Sequence, residues 1–272
     1  MTSARALLAV FDWRSVAVFR RNALVFLRNW RTGFIPPALE PVFYFLAFGL
    51  GLATYVGGIQ YDGGSIRYVT YIAPGMIAYT AFITAFYEAL YAAYVRMFYQ
   101  NTWDGLLATQ IELPHVVWGE VLWSACRGAV YAAIVGVVIA GFDIGGFVDL
   151  HLGWLPLIVA LAFLSGLAFA AAGLIFTALV PAIDHMNYPV FLIGVPLSLA
   201  SNTYFPVPER LSVVRWLMNV NPVYHLAETA RAMLVLGRPG PHLGLLLCTG
   251  AVWLVLCSLI AIRLTRRRVL GT

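Results

Sequence analysis

Long apolar runs, parted by short polar intervals, fill the chain from residue 34 to residue 264. They cover about 34–56, 68–91, 116–142, 152–179, 188–204 and 243–264. Most are near the roughly 20 residues that a helix needs to cross a bilayer, and the fifth is short. The intervals are a glycine-rich, nearly neutral loop at 57–67, a polar stretch at 96–115, an acidic turn with Asp143 and Asp149, and a tight polar turn at 181–187. Two segments follow another pattern. In residues 1–32, Val16, Phe19, Ala23, Phe26, Leu27 and Trp30 recur at three- and four-residue steps, the spacing of one helix face. Arg14, Arg21 and Arg28 lie on the opposite side, and Arg20 and Arg31 widen the charged arc. This predicts an amphipathic helix in the cytoplasmic interface, apolar side to lipid and arginines to headgroups. Gly33 and Pro36–Pro37 then permit a sharp turn.

The second exception runs from Phe205 to Arg231. It holds three prolines, three arginines, two glutamates and a histidine, interleaved with Leu, Val, Trp and Met. Its position between two apolar runs puts it at a membrane boundary. Prolines and helix-spaced side chains predict two short helices dipping back into the bilayer. His225, Glu228 and Arg231 are three residues apart and share a face, which predicts an internal polar clasp.

Composition narrows the class. With 61% hydrophobic residues, 11% charged and a mean hydropathy of +0.84, the chain has too little polar surface for a soluble globule. The pattern predicts an all-α polytopic membrane protein with six transmembrane helices. The net charge of +5 sits mostly on arginines near the two ends, which points to an anionic membrane face and not to nucleic acid. Arginines at both ends place both termini in the cytoplasm and require an even number of spans. Arg210, Arg215, Arg231 and Arg238 then fall outside, where pairing with Glu209 and Glu228 in a folded hairpin accounts for them. Cys126, Cys248 and Cys257 lie in apolar runs and form no disulfide or metal pattern. The first 30 residues show no cleavable signal peptide.

No GxxxxGK[ST] loop is present, so the chain does not bind ATP in the P-loop manner; HExxH, CxxC and GxSxG are absent too. His115, His151, His185, His225 and His242 scatter over both sides of this topology and form no metal site. Four charged residues lie in the first three runs: Glu40, Glu88, Glu120 and Arg127. Such residues face the bundle interior and mark function by default. Arg127 has two readings, a translocation path meeting a polar or anionic substrate, or a packing pair with Glu88, Glu40 or Glu120. Glu120 lies seven residues before it, on nearly the same face. Tyr79, Phe82 and Phe86 approximate one face of the second run, suited to stacking on sugar rings or acyl chains, or to lipid contact. In the interval NTWDGLLATQIEL, Trp103, Leu106 and Leu107 are apolar while Asp104, Gln110 and Glu112 are not. This describes a short amphipathic helix that docks a cytosolic partner or folds back on the membrane.

These stretches resemble the ABC-2 type permeases, in particular the lipooligosaccharide and nodulation-factor exporter branch, with antibiotic-resistance exporters nearby. The resemblance covers almost the whole chain. Its most specific part is FPV at Phe205–Val207 followed by NPVYHLAETAR, in which Asn221, Pro222, His225, Glu228 and Arg231 match the family's NP-x-x-H-x-x-E/D-x-x-R stretch. DGLLATQIEL corresponds to the family's E-x-L-x-x-T-P segment, with Asp104 in place of glutamate and Gln110–Ile111 in place of proline. The resemblance implies a cytoplasmic interface helix at 1–32 and a transmembrane domain at 33–272. A coupling helix at about 101–113 would use Trp103, Asp104, Leu106, Leu107 and Glu112. An external re-entrant hairpin at about 205–240 would gate the path with Phe205, Pro206, Asn221, Pro222, His225, Glu228 and Arg231. It implies a homodimer in the cell inner membrane with two copies of a separate P-loop ATPase. That partner holds ATP and Mg, and this chain has no cofactor and no catalysis of its own. The cargo would be a lipid-linked or amphiphilic oligosaccharide taken from the cytoplasmic leaflet. A drug exporter of the same architecture and a membrane-embedded lipid-modifying enzyme are the alternatives. A secondary transporter would show internal repeats, and none is visible.

Overall fold

The computed structural model describes residues 3–31, 33, 39, 42–52, 55–207 and 212–271. The chain begins with α1 (Ser3–Leu8), a single 3-10 turn, and α2 (Trp13–Arg28). Asp12 makes the break. Its backbone is extended, and its carboxylate accepts from the Arg14 N–H, satisfying a donor the new helix leaves open. That bond holds the Asp12 carboxyl below the ordinary carboxylate range.

The face by which α2 packs differs from the predicted apolar stripe. Ser15, Val18 and Asn22 are buried, whereas Val16, Leu27 and Trp30 are at least half exposed. Phe19 and Phe26 bridge the two faces by lying on the Trp123 ring, with centroids 6.1 and 5.4 Å away. A seam of small and polar residues lets α2 come close to its neighbour, and hydrophobic periodicity does not register such a seam.

Of the predicted first span, residues 42–52 are described, and they are helical; Glu40, Pro36 and Pro37 lie outside the described residues. The glycine-rich loop is a β-hairpin and not irregular. Its strands β1 (Ile59–Tyr61) and β2 (Gly64–Ile66) pair antiparallel, with Ile59 opposite Ile66. Asp62 and Gly63 both have positive φ (49° and 77°), the conformation of a two-residue hairpin turn.

Beyond it comes α3 (Tyr68–Tyr99), which runs past the predicted end of the second span. It continues through two π-helical stretches, Glu88–Ala92 and Val95–Tyr99. Thr177 donates to the loosened carbonyls of Ala89 and Leu90 at 2.7 and 3.1 Å. The short α4 (Thr102–Leu107) precedes α5 (Leu113–Ile144) and α6 (Leu152–Leu179). At 1.5 Å per residue the 32 residues of α5 reach about 48 Å, beyond the hydrocarbon thickness at one end or both. A helical segment at 187–199 (α7) leads to α8 (Ser212–Val220), α9 (Pro222–Leu236) and α10 (His242–Leu270).

Among the described residues four helices, α3, α5, α6 and α10, are long and apolar enough to cross a membrane. Helices α3, α5 and α6 pack on one another, and two glycines set their closest approaches. A side chain at Gly128 would press on the Ala81 carbonyl at 2.8 Å, and one at Gly173 on the Phe86 carbonyl at 2.7 Å. Helix α9 lies against α3, α6 and α10, with every residue from Pro222 to Leu234 buried. Helix α10 covers α6 and keeps most of its circumference exposed.

Candidate functional site

Four charges from α3 and α5 meet inside the bundle. Arg96 donates to both oxygens of Glu120, at 3.0 Å from Nε and 2.5 Å from Nη2, and to Glu88 at 2.9 Å. Glu88 also takes the guanidinium of Arg127 and, at 2.8 Å, the indole N–H of Trp123. Trp103 of α4 donates its indole N–H to Glu120 at 3.3 Å. Charges this deep persist only when paired and hydrogen-bonded, and both carboxylates are. The π-helical winding of α3 assists the geometry. Eight residues of ordinary α-helix overshoot two turns by about 80°, and the wider π turns bring Glu88 and Arg96 back toward one side.

Arg127 ends the network and opens it to a cavity. Its side chain is 25% exposed, lies 5.0 Å over the Phe26 ring, and donates to the Tyr131 hydroxyl at 3.2 Å. Tyr131 in turn donates to the Gly33 carbonyl. The cavity holds about 480 Å³, and Tyr44, Tyr79, Tyr87, Tyr91 and Tyr204 line it together with Glu88 and Arg127. Arg127 thus pairs with Glu88 and also lines the cavity.

The other residues assigned to a path separate. Tyr79 lines the cavity. Phe82 and Phe86 are buried, and Phe82 lies edge-on to Phe169 at 5.0 Å, so they are core. Glu120 is fully buried behind Arg96. Arg96 and Trp123 were not singled out by the sequence. Arg96 looks like part of a polar interval until the helix is seen to continue to Tyr99.

The segment 101–113 divides as well. Trp103 is buried, Leu106 and Leu107 are half-buried against the neighbouring core, and Asp104, Gly105 and Ala108–Gln110 form the exposed surface. Glu112 caps α5. Its carboxylate accepts from the His115 N–H, and its own N–H donates to His115 Nδ1 at 3.1 Å. His115 Nε2 reaches Asp12 at 3.3 Å, tying this cap to the α1–α2 break. Arg21 reaches the same region, with Nη2 donating to Thr102 at 3.3 Å, while Arg28 is exposed and Arg14 half-buried.

At the far end of α3 a second polar cluster forms around Arg231, which is 0% exposed. It pairs with Glu228 at 2.5 Å, donates to the Tyr71 carbonyl at 3.1 Å and to the Asn202 carbonyl at 2.8 Å, and lies 3.9 Å over the Tyr71 ring. Pro74 interrupts the ladder of α3 one turn beyond Tyr71. Asn202, at φ +53°, donates to Glu228 at 3.2 Å. His225 shares their helix face but goes elsewhere, to His242 Nδ1 at 3.1 Å and the Asn219 carbonyl at 2.9 Å. Asn221 caps α9 by accepting from the Val223 N–H and donates to the Leu197 carbonyl at 2.8 Å, with Pro222 at the first helical position. Phe205 and Pro206 are exposed, and Phe205 stacks on Tyr68 at 6.0 Å. Glu209 and Arg210 lie outside the described residues.

A buried charge network joining a short amphipathic helix to a cavity among membrane-length helices suits a transporter. The comparisons agree: the model of the ABC-2 type transporter family matches residues 15–235. The chain belongs to the ABC-2 type transporter family. It is similar to Nodulation protein J of Rhizobium leguminosarum bv. trifolii, 33% identical over 261 residues and 94% of each chain. Nodulation protein J of Rhizobium meliloti (strain 1021) is 30% identical over 97% of each. The inner membrane transport permease YadH of Escherichia coli (strain K12) is 21% identical over 76% of this chain and 77% of its own. As an ABC-2 permease the chain is a membrane transport subunit, and its family implies an ATPase partner.

Proposed function

We propose that this ABC-2 permease exports a lipid-linked or amphiphilic oligosaccharide from the cytoplasmic leaflet of the cell inner membrane. It acts as a homodimer with two copies of a separate P-loop ATPase, which hold the ATP and Mg. Residues 42–52 and 187–199 belong to the remaining two of six spans, and both termini face the cytoplasm. Helices α8 and α9 form the external re-entrant gate. The observation that carries the reading is the cavity: six tyrosines line it and offer faces for sugar rings, and Glu88 and Arg127 offer hydrogen bonds at one end. Nodulation protein J relatives over nearly the full chain favour the same branch.

The work of the ATPase enters at the exposed side of α4, which is Asp104, Gly105 and Ala108–Gln110. Movement of α4 pulls on Glu120 through Trp103, and from there on Arg96, Glu88 and Arg127 at the cavity wall. The test is reconstitution with a P-loop ATPase subunit that co-purifies with it. An amphiphilic oligosaccharide is expected to raise ATP hydrolysis and to cross into the vesicle lumen. Stimulation by aromatic antibiotics alone would replace this reading with the drug-exporter one, since tyrosine walls serve flat drugs equally. Activity of the purified chain with no ATPase would end both.

A further inference from the structure

A second cavity, of about 310 Å³, lies between α2 and the last turns of α3 and shares Tyr91 and Ala92 with the first as walls. Its polar wall carries donors in excess of acceptors. Arg21 gives Nη1 to Asn22 Oδ1 at 3.0 Å and Nη2 to Thr102 Oγ1 at 3.3 Å, both neutral acceptors. Among the described residues no carboxylate pairs with it. Asn22 is buried, its Oδ1 is taken by Arg21, and its Nδ2 has no partner. Arg96, also on this wall, is committed to Glu88 and Glu120. Three guanidiniums (Arg21, Arg96, Arg127) thus face two carboxylates (Glu88, Glu120), leaving one positive charge in excess. Arg20, Arg28 and Arg31 of the same segment are exposed to solvent, whereas Arg21 is held half-buried. Burial, and then the nearby Arg96, lower its pKa and outweigh the attraction of Glu120, so an anion beside it would relieve a real cost. Val25 and Val95 supply apolar wall on either side.

We propose that this cavity is a binding site for the phosphate headgroup of one anionic amphiphile, with the phosphate on Arg21 and Asn22 and its chain along Val25 and Val95. Phosphate fits because a guanidinium and an amide present several donors to one multi-oxygen anion. A headgroup of the surrounding bilayer and a phosphate carried by the cargo share this chemistry. Binding itself does not depend on the exporter reading; only its assignment to cargo does.

The test is native mass spectrometry of the detergent-solubilised chain titrated with dioctanoyl phosphatidic acid or dioctanoyl phosphatidylcholine. One phosphatidic acid should be retained per chain, with a preference of about tenfold over the zwitterion. Arg21→Gln should remove that preference, Arg21→Lys should keep most of it, and Arg31→Gln should change nothing. If Arg21→Gln does not fold, Asn22→Ala is the second variant, expected to weaken binding several-fold. Equal retention of the two lipids by the unaltered chain overturns the site, and so does an equal loss in Arg31→Gln. Two further arms separate the sources. Displacement by dioctanoyl phosphatidylglycerol and persistence through ATP turnover assign the site to the bilayer. Preference for farnesyl phosphate and release on turnover assign it to cargo. A site that binds phosphatidic acid in a complex that exports no glycan leaves this proposal standing and removes only the exporter reading.

Discussion

The two buried arginine clusters are built on opposite principles. Around Arg231 the partners are fixed: two backbone carbonyls, an aromatic face, and a carboxylate three residues away on the same helix. The two carbonyls cannot change place without moving a helix or a loop. Around Glu88 and Glu120 every partner is a side chain, Glu88 is shared between Arg96 and Arg127, and one member borders a cavity. Such a network can redistribute its bonds while the backbones shift slightly. The first cluster is suited to holding α9 against α3, and the second to passing a displacement along.

The largest test of this contrast is Arg231→Met. It leaves Glu228 buried without its cation, a loss of about 3–5 kcal/mol by the behaviour of broken buried pairs. Little folded protein should accumulate, and adding Glu228→Gln should recover a large part of the melting temperature. A single variant that melts like the unaltered chain would remove the distinction. Next is Glu120→Met, expected to cost about 2–3 kcal/mol because Arg96 retains Glu88, and to free the Trp103 tether by removing the oxygen that accepts its indole N–H. Thermal melts give the first figure, and a raised protease sensitivity near residue 103 would report the second. Arg127→Gln should cost only about 1–2 kcal/mol, since its side chain is partly exposed. Export should nonetheless fall sharply, and a loss of protein level without loss of specific transport would make Arg127 a packing residue only. The smallest effect on stability belongs to Asp104→Ala, within about 0.5 kcal/mol for an exposed position. Its expected consequence is weaker stimulation of the ATPase, read at equal amounts of assembled complex.

How much of this was legible in the sequence depended on the signal each feature leaves. The long helices α3, α5, α6 and α10 announce themselves by uninterrupted apolar length. The hairpin at Ile59–Ile66 does not, because its only strong mark is the Asp62–Gly63 pair inside a glycine-rich stretch. Arg96 was hidden because a charge just past the apolar run reads as the start of the polar interval 96–115, although α3 carries it on π-helical turns to the same side as Glu88. Helical spacing correctly joined Glu228 to Arg231, a contact within one helix. It joined His225 to them wrongly, because His242 arrives on another helix and no one-dimensional period reports that. The same holds for Phe82 and Phe86: periodicity defines a face, and only the neighbour, here Phe169, decides whether that face is core or cavity.

Helix α4 is six residues long, far below the length at which a helix in water persists alone. Its shape is lent to it by the indole of Trp103 inside the bundle. On the coupling role proposed for α4, a synthetic peptide copying residues 100–112 would therefore be a poor decoy for the ATPase. A useful mimic would need a covalent brace in place of the missing membrane helices, with Asp104 and Gln110 left free as its reading surface.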